Sequence, residues 1–342
     1  MYIGMADFSL QNRKRVINCI CLQGGIFMEK DTFRYHAANG EHDILATLWE
    51  PRISEPRAVI QIAHGMAEHR KRYEEFANYM TERGYAVCAN DHAGHGESVG
   101  DPPLYGYFGK AEGIDFVVQD MYTLTEHAKE MYPHLPVVLL GHGVGASLSK
   151  LYATLYPKVL AGLLLSGLGG ASWLLWLAIR FARRQVEKNG DRTQENVLNR
   201  FMMGDFNSGY NNVRTERDWL SRDAQAVDSF LSDPLCNFLY TNQGVLDILR
   251  LTQRVNTPGW YTALRKDLPI YLFSGDMDPI GREGRCVKKA ARTLERTGMQ
   301  DVQMKLYPQG RHEMLQEINK ETVFSDICHW LNRILKKKFL QG

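Results

Sequence analysis

The chain has almost no excess of charge of either sign. Lysine and arginine number 41 against 39 acidic residues, for a net charge of +2, so no basic field exists to hold a nucleic acid backbone. No apolar run approaches the ~18 residues that a membrane-spanning helix requires. Cysteine is sparse. Cys19, Cys21, Cys88, Cys236, Cys286 and Cys328 are scattered, no Cys or His pair has a usual zinc-ligand spacing, and no metal site is expected. Several of these thiols lie in apolar stretches, which suits reduced cysteines in a cytoplasmic protein. Internal repeats and low-complexity tracts are absent, which excludes a solenoid or a repeat array.

Residues 1–27 read differently from the rest. Arg13-Lys14-Arg15 followed by Val16 to Leu22 imitates a signal peptide, but the apolar segment is short, interrupted by Asn18 and followed by Gln23 rather than a small-residue cleavage site. Secretion is not expected. Gln23-Gly24-Gly25-Ile26-Phe27 fits a translated ribosome-binding site, so the chain is expected to start naturally at Met28 after a disordered extension.

One further absence is local. Pro136 to Leu140 suits a buried parallel strand, and Val144, Leu148, Leu151 and Leu155 follow at helical spacing. Between them stands Gly141-His142-Gly143-Val144-Gly145, a G-x-S-x-G turn with glycine where the serine belongs. Glycines two residues either side of the tip are needed because the turn is too tight for side chains there. Ser147 and Ser149 lie in the following helix, and neither is expected to replace the missing hydroxyl.

Four other strand-and-loop units keep a fixed order around this turn. Ala58 to Ala63 leads into His64-Gly65-Met66, and Tyr85 to Asn90 leads into Asp91-His92-Ala93-Gly94-His95-Gly96. Leu268 to Ser274 runs into Gly275-Asp276-Met277-Asp278-Pro279, and Met304 to Tyr307 into Gly310-Arg311-His312-Glu313. Nucleophile position, acid and histidine in that order belong to one fold.

Those motifs resemble the monoacylglycerol lipase and lysophospholipase-like branch of the α/β-hydrolases over residues 30 to 336, with glycine in place of the nucleophilic serine. The resemblance implies a mostly parallel central sheet flanked by helices, with a helical lid inserted at 171–266 between core segments 28–170 and 267–342. It makes Gly143 the nucleophile position, Asp278 the acid and His312 the base, with the backbone N–H groups of Met66 and Val144 as the oxyanion hole. Asp276 is the competing acid, disfavoured because the Asp278-Pro279 step matches the family pattern. His64, His92, His95 and His142 are expected to brace loops.

The chemistry accounts for these residue types. A serine hydroxyl attacks an acyl carbonyl when histidine removes its proton, and a carboxylate holds that histidine in the right tautomer. Two backbone donors stabilise the developing oxyanion. No cofactor is needed. The implied function is hydrolysis of a small acyl ester or monoacyl lipid through an acyl-enzyme, disabled by Gly143. A non-catalytic acyl-binding protein and an acyltransferase using the same triad are the alternatives. Persistence of Asp278, His312 and the elbow glycines favours a serine deliberately exchanged for glycine over a natural pseudoenzyme.

Within the expected lid, a helix is predicted from Ala171 to about Lys188, with Leu174, Leu177, Ala178 and Phe181 on one stripe and Arg180, Arg183, Arg184 and Lys188 on the rim. Trp173, Trp176 and Leu177 are expected to contact substrate, and the same face suits transient contact with a membrane or micelle surface. Trp219 to Asp223 and Asp233 to Phe238 resemble further lid segments, in which Arg222 and Asp223 are expected to pair.

Overall fold

The computed structural model describes residues 29–339 except 53, 54, 101–103, 111 and 205. The expectations for residues 1–27 and for the start at Met28 lie outside the described residues. Among the described residues an antiparallel hairpin of β1 (Glu29–His36) and β2 (Asp43–Glu50) comes first. Then β3 (Val59–Ala63), α1 (Glu74–Thr81), β4 (Ala86–Asn90), α2 (Gly113–Met131), β5 (Val137–His142), α3 (Val144–Leu155) and β6 (Leu160–Ser166) alternate. Five helices follow: α4 (Leu175–Asn189), α5 (Asn196–Met203), α6 (Ala224–Ser232), α7 (Asn242–Val255) and α8 (Pro258–Ala263). The chain returns to the sheet as β7 (Ile270–Gly275), α9 (Arg285–Arg296), β8 (Val302–Tyr307) and α10 (Lys320–Phe339).

The strands form one sheet in the order β1-β2-β4-β3-β5-β6-β7-β8, antiparallel at β1, β2 and β4 and parallel from β4 to β8. The central strands are apolar on both faces over most of their length because both faces are covered. Alternate residues therefore feed two cores. Ile60, Ile62, Val87, Leu140 and Phe273 join the cluster containing Phe76 of α1 and Phe324 of α10. Val59, Cys88, Leu139, Leu165 and Leu272 join the other, with Val117 of α2, Leu148 of α3 and Leu294 of α9. Gln61 is the polar exception in β3. It is buried but satisfied, donating to the Met121 carbonyl at 2.7 Å and accepting from Thr125 Oγ1 at 2.6 Å.

The helix expected from Ala171 starts at Leu175. Its buried face also differs from the expected stripe. Ala178, Ile179 and Ala182 face inward, while Leu174, Leu177 and Phe181 are 41–45% exposed. Two alanines on the inner face let α4 lie close against α7, and the large side chains are left outside. Arg222 and Asp223 do not pair with each other. Arg222 reaches Glu317 at 2.9 Å, and Asp223 caps α6 by accepting from the N–H groups of Gln225 and Ala226. Among the described residues Cys88, Cys236, Cys286 and Cys328 are free thiols, and no helix is long and apolar enough to cross a membrane.

Candidate active site

The parallel strands end at one rim, and the tight turn after β5 sits there. Gly141 and Gly145 are fixed by crowding. A Cβ on Gly141 would lie 2.4 Å from the Gly145 carbonyl oxygen, and one on Gly145 would lie 2.1 Å from that of Ala63. Gly143 is different. Its backbone has φ 56° and ψ −116°, strained for any side chain, yet a Cβ there would meet only His312, 3.4 Å from Nε2, and the Cα of Gly65 at 3.9 Å. The turn thus aims whatever stands at 143 toward a histidine.

His312 reaches this point on the loop after β8. Its Nδ1 lies 3.1 Å from Asp278 Oδ1, on the loop after β7. Asp278 is held in turn by Ser274 Oγ at 2.8 Å and the Ile280 N–H at 2.9 Å. Burial alone would raise the Asp278 pKa, but the charge and hydrogen bond of His312, with that of Ser274, hold it below the usual carboxylate range. For His312 burial disfavours the cation, and the Asp278 carboxylate outweighs burial to lift its pKa above the ordinary histidine value. An ionised Asp278 accepts the Nδ1 proton, leaving the Nε2 lone pair turned toward Gly143. Asp276 is placed otherwise, accepting from the Gln309 N–H at 2.6 Å in a surface turn.

Met66 and Val144 both line a cavity of about 340 Å³ with Gly143 and His312. Among the described residues neither backbone N–H has a partner. The loop carrying Met66 is braced on both sides. Gly65 N–H donates to Glu68, and Ala67 N–H donates to Tyr240 Oη, which also bonds His95. His64 donates from Nδ1 to the Gly65 carbonyl and accepts the His92 N–H at Nε2, so its tautomer is fixed. Burial drives His92 and His95 down to about 3. Burial and the charge of His312 take His142 down to about 4. These histidines remain neutral and act as hydrogen-bonding struts.

Glu68, Arg72 and Glu313 form a buried ion network beside this cavity. Arg72 bonds Glu68 Oε2 and both carboxylate oxygens of Glu313. Burial would raise the Glu68 pKa, and Arg72, His142, Tyr73 and the Gly65 N–H keep it low. The network ties the Met66 loop to the His312 loop. Sequence reasoning missed it. The Glu68–Arg72 spacing of four was visible, but the distant partner Glu313 was not.

Side chains from the segment between β6 and β7 complete the wall: Met202, Phe230 and Ile248 from helices, and Phe206, Trp219 and Leu220 from the turns between α5 and α6. The Trp219 ring lies 5.2 Å from that of His312, with Phe206 5.0 Å beyond. Trp173, Trp176 and Leu177 are not part of this wall, and Trp173 is 81% exposed. Their apolar run signalled contact, but the inner face of α4 is the alanine one. Ser147, read from the sequence as an ordinary residue of the following helix, is not turned away from the site. It lines the cavity, since it stands one helical turn from Gly143 on the same face. Ser149 is buried behind Gly141.

A mostly parallel eight-stranded sheet, with a tight glycine turn after β5 and an Asp–His pair on the last two strand ends, defines an α/β-hydrolase. The model of the family described as serine aminopeptidase, S33 matches residues 54–319, and the chain belongs to that family. The chain is 27% identical over 290 residues to the monoacylglycerol lipase of Mycolicibacterium smegmatis, covering 84% of this chain and 92% of that protein. It is 29% identical over 301 residues to the monoglyceride lipase of Homo sapiens, covering 86% and 88%. Among solved structures it is similar to a highly thermostable carboxyl esterase from Bacillus coagulans in complex with glycerol (TM-score 0.84, 27% identity, 90% of this chain and 99% of that one). The fold also matches a soluble variant of monoglyceride lipase from Saccharomyces cerevisiae (TM-score 0.65, 18% identity, 97% and 99%).

Proposed function

We propose that this site belongs to a carboxylic-ester hydrolase of the monoacylglycerol lipase type whose acyl-enzyme route is disabled at Gly143. The observation that carries the reading is the position of a Cβ on Gly143, 3.4 Å from His312 Nε2, with Asp278 behind that histidine. A serine at 143 would pass its proton to His312 as its oxygen attacks the acyl carbon. The Met66 and Val144 N–H groups would receive the carbonyl oxygen as it becomes negative. His312 would return the proton to the leaving alcohol, and water would then release the acid by the same steps reversed.

The lined cavity supports a monoacyl substrate, with the apolar wall of Met202, Phe206, Trp219, Phe230 and Ile248 facing the acyl chain. We read 171–266 as a lid over it. The exposed Trp173, Leu174, Trp176, Leu177 and Phe181 beside Arg180, Arg183, Arg184 and Lys188 support transient contact with a membrane or micelle surface. The unpartnered oxyanion donors support retained binding of esters and acids by the glycine chain, which is the pseudoenzyme alternative. An acyltransferase would use the same triad and differ only in acceptor, so product analysis with competing alcohols separates the two. Survival of the acid, base and turn favours a serine exchanged for glycine, and the gene's natural codon decides that point. The functional test is glycerol release from a monoacylglycerol by the Gly143→Ser protein. No release from any chain length would overturn the reading.

A further inference from the structure

The acid, base and oxyanion donors surround position 143 whether or not a serine stands there. A hydroxymethyl group and a water molecule are of similar size. The Cβ that Gly143 lacks would touch nothing closer than His312 Nε2 at 3.4 Å, and both residues face the cavity. Nε2 has no partner among the described residues, since the ring is held through Nδ1 by Asp278. The other ionisable groups in the wall are occupied or weak. Glu68 and Glu313 are both engaged by the Arg72 guanidinium, Arg217 and Arg282 are cations, and His142 is too weak a base to serve.

The geometry points to a second activity of the glycine chain: direct hydrolysis of activated esters by a water held between Gly143 and His312, with no covalent intermediate. This rests on the reading of the site as an esterase site. The water oxygen bonds to the acyl carbon while His312 Nε2 takes one of its protons, and the carbonyl oxygen turns its charge toward the Met66 and Val144 N–H groups. The tetrahedral species then breaks its bond to the alcohol oxygen, and the imidazolium returns the proton to that oxygen. One ester and one water yield one acid and one alcohol, and the protein is unchanged.

Two consequences distinguish this route. Water is a weaker nucleophile than an activated serine, so esters with good leaving groups are turned over and ordinary glycerides scarcely are. General-base catalysis contributes about 10²–10⁴-fold, so removing His312 costs at least about 10²-fold, above a background set by oxyanion donors and binding.

The test uses p-nitrophenyl acetate and butyrate with the full chain treated beforehand with a fluorophosphonate, which silences any serine hydrolase carried through purification. The expected result is linear release without a burst, slower in D₂O, with unchanged intact mass after acid quench. His312→Gln and Asp278→Asn should each lower the rate by about 10²-fold or more, with folding of each checked by thermal melting. Turnover no faster than in a folded His312→Gln protein overturns the proposal, as does an acyl adduct on the quenched chain. Gly143→Ser separates the two readings. Serine activity without His312-dependent turnover by the glycine chain sinks only the water route. His312-dependent turnover by the glycine chain beside an inert serine variant sinks only the acyl-enzyme reading.

Discussion

Arg72 and Glu313 are joined by two parallel hydrogen bonds of 2.7 Å, with side chains 11% and 7% exposed. This fork ties the loop that offers the Met66 N–H to the loop that carries His312. The distance between the Met66 N–H and the His312 ring thus depends on a buried ion network, which also includes Glu68. Removing one partner of a buried pair leaves an uncompensated charge, at a cost of about 3–5 kcal/mol. Arg72→Ala should therefore lower unfolding stability by about that amount in chemical denaturation. Arg72→Lys should retain part of the stability, yet lose activity in the Gly143→Ser background because the fork geometry is lost. A stability loss within about 0.5 kcal/mol, as at ordinary surface sites, would remove the network from the account.

The choice of acid has a sharp test. In the Gly143→Ser background, Asp278→Ala should cost about 10³–10⁴-fold in kcat, by analogy with loss of the histidine orienter in other triads. Asp276→Ala should leave most activity, because that carboxylate serves only the Gln309 turn. Equal losses would undo the assignment.

Activity of the serine variant should rise with pH, because the base works only as neutral imidazole. Asp278 holds the His312 proton more tightly than an ordinary histidine holds its own, so the midpoint in kcat/KM should fall above the unperturbed ~6.5. Replacing Asp278 with asparagine should move that midpoint downward. A midpoint that stays in place would mean that another group controls the rate.

Much of this site was legible in the sequence because its residues stand at the ends of apolar strands. Val59–Ala63, Ala86–Asn90, Val137–His142, Ile270–Gly275 and Val302–Tyr307 lie within a few residues of the expected runs. Each delivers its loop to the same rim. The β1–β2 hairpin went unread. Its first strand is half exposed and largely polar, and it carries no loop motif. Residues whose roles depend on tertiary pairing were equally hidden. Glu313 finds Arg72 from 241 positions away, and Trp219 meets His312 only once the helices between β6 and β7 have folded back. The α4 stripe misled because hydrophobicity was counted without size, and the inner face is the smaller one.

Trp219 is accordingly the residue to follow for binding, in place of Trp173 and Trp176. It is 6% exposed, lines the cavity and lies 5.2 Å from His312. Titration of the glycine chain with a monoacyl ester should shift tryptophan emission and raise the melting temperature. Trp219→Phe should remove most of the emission change, whereas Trp173→Phe should leave it. A response that follows Trp173 instead would place the ligand on the outer face of α4.

The central claim is that position 143 is a nucleophile seat whose surroundings are intact. The direct measurement is the site of modification when the Gly143→Ser chain is treated with a fluorophosphonate and digested for peptide mass spectrometry. One adduct on residue 143, lost when His312 is replaced by alanine, is the predicted result. No adduct on a folded protein, or an adduct on Ser147 with residue 143 unmodified, would contradict it.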